Sequence, residues 1–109
     1  MYAVPPNLDL SSWLGCGLEY VGLGMHTLNL SFEGGHNISC EGLTQLEGPA
    51  GTVTVLSRQG WGDVSSLATL LGASVASWRV EGTYEFSLSL SSGHNFRFTS
   101  VEGPYEYFV

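Results

Sequence analysis

The sequence predicts a mainly β (α+β) fold: an internally duplicated unit of one helix and four strands, forming one pseudo-symmetric antiparallel β domain with two short helices. Three observations favour this class. The chain has 109 residues, the usual size of a single domain. Apolar and polar residues alternate over several short segments, which is typical of half-buried strands. Four blocks of sequence also recur in the same order in the two halves, and such a repeat predicts two similar structural units.

The first two blocks predict a short helix and a first strand in each half. The letters LDLSSWLG end at Gly15, and the letters SSLATLLG end at Gly72. Glycine is the usual residue just past the end of a helix, so each segment reads as a helix with its stop signal. LEYVGL at 18–23 then matches VASWRV at 75–80, and we predict a strand in both places.

The next block predicts a hairpin in each half. LNLSF runs into GGHNISC in the first half, and FSLSL runs into SGHNFRF in the second. Gly35 and Gly93 occupy the tips, where a hairpin loop needs the left-handed backbone that glycine adopts without steric strain. His36 and His94 follow them, and we interpret both as structural turn residues that lie across the mouth of each hairpin.

A fourth strand is predicted after a Glu-Gly-Pro turn in each half. The turn segments and the strands that follow them are 46–49 with 52–56, and 101–104 with 105–109. The predicted pseudo-repeats therefore cover residues 8–56 and 63–109. A unit of this size buries too little apolar surface alone, so we expect the two units to share one core in a single domain over residues 1–109.

Composition limits the classes of partner. The chain has no lysine, three arginines and ten carboxylates, for a formal net charge of −7. Nucleic acid is excluded as a partner because it requires clustered cations, whereas a basic protein would be attracted. No apolar run is long enough to predict a membrane span, and no signal peptide is recognisable at the N-terminus. We expect a cytoplasmic protein in which Cys16 and Cys40 remain unpaired.

No catalytic, metal or cofactor site is predicted. No serine lies in a G-x-S-x-G segment, and no cysteine pair has the spacing of a metal site. His26 aligns with Tyr84 in the second half, a replacement not expected of a metal ligand. We therefore predict that the protein is not an enzyme.

Surface residues provide the remaining candidates for function. Aromatic residues bordered by carboxylates suit a protein interface, in which aromatics give affinity and charges guide approach. The predicted partner-binding residues are Glu33, Glu41, Glu47, Trp61, Glu102, Tyr105 and Glu106.

The second half, LLGASVASWRVEGTYEFSLSLSSGHNFRFTSVEGPYEYF, resembles small uncharacterised bacterial domains that are encoded near polymorphic toxins. The shared pattern covers residues 67 to 108. It consists of a Leu-Gly helix end, a strand, a hairpin with glycine at its tip and a closing Tyr-Glu-aromatic segment. The resemblance implies an immunity-type protein that blocks the active site of a toxin, and it brings no catalytic residues.

Three functional hypotheses follow. The first is a non-enzymatic acidic module that binds a protein, as an immunity-type inhibitor of a basic toxin or nuclease. The second is a domain that binds a small ligand in a pocket between the pseudo-repeats, lined by aromatics and by His36 and His94. The third is a structural or assembly protein that dimerises through a β edge. The sequence is compatible with a monomer or a homodimer.

Overall fold

The computed structural model describes residues 8–57, 59–82 and 85–99. The predicted mainly antiparallel β architecture is confirmed in these residues. Their strands are β1 (Leu18–Leu23), β2 (Leu28–Phe32), β3 (His36–Cys40), β4 (Leu43–Gly48), β5 (Gly51–Ser57), β6 (Gly60–Trp61), β7 (Val75–Gly82), β8 (Glu85–Leu90) and β9 (Asn95–Thr99).

These strands form two sheets. The order of the three-stranded sheet is β1-β2-β3, and that of the six-stranded sheet is β6-β5-β4-β9-β8-β7. All neighbouring strands in both sheets are antiparallel. After β3 the chain crosses to the six-stranded sheet, where β4 pairs with β9. A strand from the first half of the chain therefore extends the sheet that the second half begins.

Buried apolar side chains from the two sheets form one core cluster. The side chains of β2 and β9 alternate between buried and half-buried positions, as the period-two pattern predicts. In the six-stranded sheet the core is aromatic. The ring centroid of Phe98 lies 5.0 Å from that of Phe86 and 5.6 Å from that of Phe96. Stacked and tilted aromatic pairs at these separations add to the stabilisation from burial itself.

The hairpins β2–β3 and β8–β9 have the same register. Leu30 lies opposite Ile38 in the first hairpin, and Leu88 lies opposite Phe96 in the second. A serine hydroxyl also donates to an asparagine Oδ1 across both hairpins, at 2.7 Å and 2.8 Å, from Ser31 to Asn37 and from Ser89 to Asn95.

The two halves meet where β1 and β7 begin. Backbone hydrogen bonds of 2.8 to 3.0 Å join them in matching pairs. The donors and acceptors are Gly15 N to Val75 O, Val75 N to Cys16 O, Gly72 N to Leu18 O and Leu18 N to Ala73 O. Each strand then has a register shift at the same place, between Leu18 and Tyr20 in β1 and between Val75 and Ser77 in β7.

The prediction of two short helices is wrong. Each is a single 3-10 turn, Ser11–Trp13 (the first turn) and Leu67–Leu70 (the second turn). Helix nucleation is unfavourable for so short a segment, and neither turn has a side-chain cap at its N-terminus. The predicted stop signals are nevertheless present as left-handed glycines, with φ of 81° at Gly15 and 90° at Gly72.

The sequence predicts a turn segment at 46–49 and no strand between Cys40 and residue 52, whereas the structure has β4 at Leu43–Gly48. Thr44 and Leu46 are buried there because β4 pairs with β9 on one side and β5 on the other. The predicted fourth strand of the first half, residues 52–56, lies within β5. Its predicted counterpart at 105–109 lies outside the described residues.

Candidate functional site

An open groove lies between β1 and the second turn. Its volume is about 310 Å³. Its walls are mostly aliphatic, with one tyrosine and one carboxylate, and comprise Glu19, Tyr20, Val21, Leu23, Val64, Leu67, Ala68 and Leu71. The groove therefore joins a strand of the first half to a turn of the second half.

Three large apolar side chains of the groove are unusually exposed. The exposed fraction is 58% for Tyr20, 51% for Leu23 and 48% for Leu71. Scattered apolar residues are normal on a protein surface, but these three line one depression. A grouped apolar surface of this kind indicates a place where another molecule binds.

The backbone around β1 explains why the groove stays open. The Leu18 N–H donates to Ala73 O at 2.8 Å, and Leu18 O accepts from Gly72 N at 2.8 Å, so the start of β1 is fixed against the second half. A β-bulge between Leu18 and Tyr20 interrupts the alternation of side chains, so that Tyr20 no longer lies on the same face as Leu18. Tyr20 is therefore exposed. The second turn buries two of its own leucines in the core, and Leu71 is left outside.

Trp61, a predicted anchor, positions the loop beside the groove. Its indole Nε1 donates to Gly24 O at 2.9 Å, directly after the groove residue Leu23. Met25 follows and is 84% exposed. Trp61 itself is half-buried against the core. The tryptophan therefore supports an apolar loop and is not itself a fully exposed anchor.

One carboxylate lines the groove, and a second directly precedes a lining residue in the sequence. Glu19 is exposed and lines the groove. Asp63 directly precedes the lining residue Val64, and its Oδ1 accepts hydrogen bonds from the Ser65 hydroxyl at 2.6 Å and the Ser65 N–H at 3.0 Å. Both bonds lower the pKa of Asp63 below its ordinary value, and the bond from the Ser65 hydroxyl has the larger effect. This carboxylate is therefore ionised at neutral pH.

The predicted carboxylates of the first half do not line the groove. Glu33 Oε1 accepts the Gly17 N–H at 2.6 Å, which fixes the start of β1 against the β2–β3 loop. Glu41 is exposed between β3 and β4. Glu47 Oε1 lies 3.6 Å from Arg97 Nη2 on the six-stranded sheet. The contacts of Glu33 and Glu47 are therefore internal, and Glu102, Tyr105 and Glu106 lie outside the described residues.

A second charged group lies on the six-stranded sheet, and of its members only Glu47 was predicted from the sequence. Arg97 lies between Glu47 and Glu85, with Nε 3.7 Å from Glu85 Oε2. Arg79 Nε lies 3.7 Å from Glu81 Oε2 on the neighbouring strand β7. The pairs are partly exposed, so solvent screens them and they add little stability. This face carries both signs of charge and is a weaker candidate for a basic partner than the groove.

Sequence analysis also missed the groove residues, for a physical reason. Simple alternation places Tyr20 on the same face as Leu18, and only the bulge between them breaks that relation. One signal was present in the repeat: Ser77 occupies the position of Tyr20 in the second half. A serine aligned with a large aromatic residue indicates a position that the core does not require.

The two histidines have local partners. The His36 ring stacks on Trp13, with centroids 4.9 Å apart and planes inclined by 20°. His94 Nδ1 lies 2.9 Å from Ser92 Oγ. In residues 8–57, 59–82 and 85–99, no three His, Cys, Asp or Glu side chains are grouped so that they could hold a metal ion.

No helix in the described part of the chain is long and apolar enough to cross a membrane. Comparisons with protein-family models, with curated proteins and with solved structures found no match.

Proposed function

We propose that this chain is a non-enzymatic, acidic protein-binding module of the immunity type, which inhibits a basic toxin such as a nuclease. The observation that carries the proposal is the open groove, in which Tyr20, Leu23 and Leu71 are all exposed. Grouped apolar exposure of this kind favours protein association. A tyrosine in such a site is a frequent source of binding energy, because its ring buries much area at small entropic cost.

Charge supports a basic partner. The chain has a formal net charge of −7 and only three cationic side chains. Glu19 lines the groove, so a lysine or arginine of the partner would meet a carboxylate there. Opposite charges also speed the encounter of two proteins. An enzyme that binds phosphate groups needs a cationic surface, and carboxylates on this chain would take the place of those phosphates.

The proposal places the protein in the cytoplasm. Cys16 and Cys40 are both free cysteines, and burial raises the pKa of the Cys40 thiol. Unpaired cysteines are usual in a reducing compartment.

The proposal also includes an origin by internal duplication. Support comes from the common register of β1–β3 and β7–β9 and from the reciprocal hydrogen bonds between the halves. The unit that these contacts support is one 3-10 turn followed by three strands. The predicted helix is replaced by the turn, and β4 and β5 follow the first unit.

A small ligand is the second candidate occupant. The groove lies between the two halves, and its volume of about 310 Å³ is at the lower end of small-molecule sites, which span roughly 300–1,000 Å³. His36 and His94, which the ligand hypothesis names as candidate lining residues, do not line it. The mostly aliphatic walls offer few polar groups to orient a small molecule, so a protein partner is favoured.

The test begins with capture of the partner by cross-linking in the source cells and its identification by mass spectrometry. The partner is then produced alone, and its effect on bacterial growth is measured with and without this chain. We expect a basic protein that arrests growth alone and is neutralised by the wild-type chain. Association should slow as salt is added, because screening weakens electrostatic steering.

A matched pair of variants provides the control. Leu71 and Leu14 follow the second and first turns and are 48% and 47% exposed, but only Leu71 lines the groove. Leu71→Glu should abolish neutralisation, and Leu14→Glu should retain it. Equal behaviour of the two variants, salt-independent association, or a partner as acidic as this chain would contradict the proposed function.

A further inference from the structure

Beside the groove, β1 has an open outer edge. One side of β1 pairs with β2. On the other side its first residue, Leu18, is hydrogen-bonded to Gly72 and Ala73. Beyond Leu18, none of the strands in the described residues pairs with this side. Main-chain groups on an unpaired sheet edge are a template for an added strand.

The hydrogen-bond pattern identifies the main-chain groups on this edge. At the end of the β1–β2 hairpin, Gly24 N donates to Thr27 O at 2.8 Å, which marks a hydrogen-bonded pair. Hydrogen-bonded and non-hydrogen-bonded pairs alternate along an antiparallel ladder. Counting back along the observed register, Leu23 and Val21 occupy non-hydrogen-bonded positions towards β2. Their N–H and C=O groups therefore point to the outer edge.

The open edge and the apolar groove are side by side. Val21 and Leu23 line the groove from β1, and Leu67 and Leu71 line it from the second turn and the residue after that turn. Alternate side chains of an extended segment lie on the same face. A segment bound along the edge could therefore pair its backbone with β1 and place a side chain in the groove.

From this juxtaposition we propose that an extended segment of the protein partner adds a strand to the outer edge of β1. One large apolar side chain of the segment lies against Tyr20 and Leu71, and a neighbouring lysine or arginine pairs with Glu19. Main-chain bonds to Val21 and Leu23 provide affinity, while the groove and Glu19 provide specificity, as in other cases of strand addition. This inference rests on the proposed function, because it names how the partner occupies the same groove.

The matching positions in the second half carry different side chains. Trp78 stands in β7 where Val21 stands in β1, and its Nε1 donates to Leu8 O at 3.3 Å. Trp78 and Leu8 both pack against the core. Ser77 occupies the position of the exposed Tyr20. At these matching positions the large side chain packs against the core in β7, whereas in β1 it is exposed beside the groove.

The test uses the full chain and a phage-displayed library of short random peptides. We expect the selected peptides to share a large apolar residue next to lysine or arginine. In an NMR titration with a selected peptide, the amides of Val21, Leu23 and Leu71 should shift most. Hydrogen exchange at Val21 and Leu23 should slow, because their N–H groups gain partners in the added strand.

N-methylation of the peptide tests the main-chain pairing directly. In the bound strand, alternate peptide nitrogens face β1. Methyl groups on these nitrogens should weaken binding by about tenfold per hydrogen bond lost, whereas methyl groups on the nitrogens that face away from β1 should have little effect. Leu71→Glu should abolish peptide binding, and Leu14→Glu should leave it unchanged.

The outcomes separate this inference from the proposed function. Equal sensitivity to both methylation phases, or amide shifts elsewhere, would overturn strand addition even if the identified partner still requires Leu71. Concentration-dependent shifts at Val21 and Leu23 without peptide would assign the edge to a second copy and overturn it too. Partner binding that ignores Leu71→Glu would instead contradict the proposed function.

Discussion

The two three-stranded units, β1–β3 and β7–β9, have one backbone pattern but contribute different side chains to the common core. At three matched buried positions the first unit has the smaller side chain, Leu28, Ile38 and Cys40 against Phe86, Phe96 and Phe98, whereas at a fourth Phe32 is matched by Leu90. The strands therefore pair in the same register in both units although their buried side chains differ in size. The aromatic core lies in the unit that β4 extends, where a larger sheet covers it.

The outer surfaces of the units differ as well. Tyr20 and Val21 in β1 line the groove, whereas Ser77 and Trp78 stand at the matching positions in β7, where Trp78 is half-buried against the core. The second half therefore has aromatic residues at three matched core positions and at Trp78, and the first half exposes Tyr20 at the candidate binding site.

The largest expected effect concerns the aromatic core. Phe98→Ala should reduce the free energy of unfolding by about 3–5 kcal/mol, because it removes a fully buried ring and leaves a cavity. At the matched position, Cys40→Ala should reduce it by about 1 kcal/mol, because a much smaller group is removed. Urea unfolding of both variants measures the difference.

Phe98→Leu provides a folded reference if Phe98→Ala does not fold. Its loss should fall between those of the other two variants. Equal losses for Phe98→Ala and Cys40→Ala would mean that the two units share the core evenly, contrary to the comparison.

The hairpin tips should respond alike in the two units. Gly35 and Gly93 have φ of 79° and 88°, and a side chain added at either would meet no neighbour within 4 Å. Strain is therefore confined to the backbone, and valine at either position should reduce the free energy of unfolding by about 1–3 kcal/mol. Thermal melting measures both variants.

Gly82→Val is the matched control for these tips. Gly82 lies in β7, has no left-handed φ and likewise has open space around it. Valine there should leave the melting temperature unchanged or raise it slightly, because glycine is unfavourable in a strand. Loss of stability at Gly82 but not at the tips would show that the turns are not strained by β-branched residues.

A smaller effect should separate the two loop contacts at the start of the units. The Gly17 N–H is held by the Glu33 carboxylate at 2.6 Å, and the Ser74 N–H is held by the Ser91 hydroxyl at 3.0 Å. Hydrogen bonds to charged groups are stronger, so Glu33→Ala should reduce the free energy of unfolding by about 1.5 kcal/mol and Ser91→Ala by about 0.5–1 kcal/mol. Equilibrium unfolding tests the ranking.

The same Glu33 variant separates structure from binding. If Glu33 acts only within the fold, Glu33→Ala should lower the free energy of unfolding. It should slow partner association no more than the loss of a carboxylate far from the groove does. A large and specific loss of association would restore Glu33 as a partner-binding residue, as the sequence predicts.

The strands and hairpins that sequence predicted are the elements with local signals. Alternation over Leu28–Phe32 and Asn95–Thr99 indicates strands because each residue's burial depends on parity alone. The aligned blocks also predicted that the two hairpins occupy corresponding positions in the two halves. β4 was missed because its burial depends on pairing with β9, about fifty residues away, which no local pattern encodes.

The candidate site was harder to predict than the fold. Acidic residues and Trp61 were chosen by type, but hydrogen bonds within the fold engage Glu33 and Trp61. The groove depends on a bulge after Leu18 and on the approach of Leu71 from the other half. Both are properties of the folded chain, so the exposed position of Tyr20 could be inferred only from its alignment with Ser77.

The smallest expected effect is a pH dependence at the turns. Asp63 accepts two hydrogen bonds from Ser65 before the second turn, and Asp9 accepts one from the Ser11 N–H, at 2.9 Å, before the first. These bonds lower the pKa of both carboxyls, so the folded state favours the ionised forms. The resulting stability is complete above the pKa of the unfolded chain, about 4, and is lost as pH falls through the lower pKa of the folded chain.

Asp63→Asn should therefore have a melting temperature slightly below that of wild type at neutral pH, and the two melting temperatures should converge as the pH is lowered. Asp9→Asn should show the same trend, because hydrogen bonds from Ser11 lower the pKa of Asp9 in the same direction. A gap that widens as pH falls would contradict the assigned direction of both shifts.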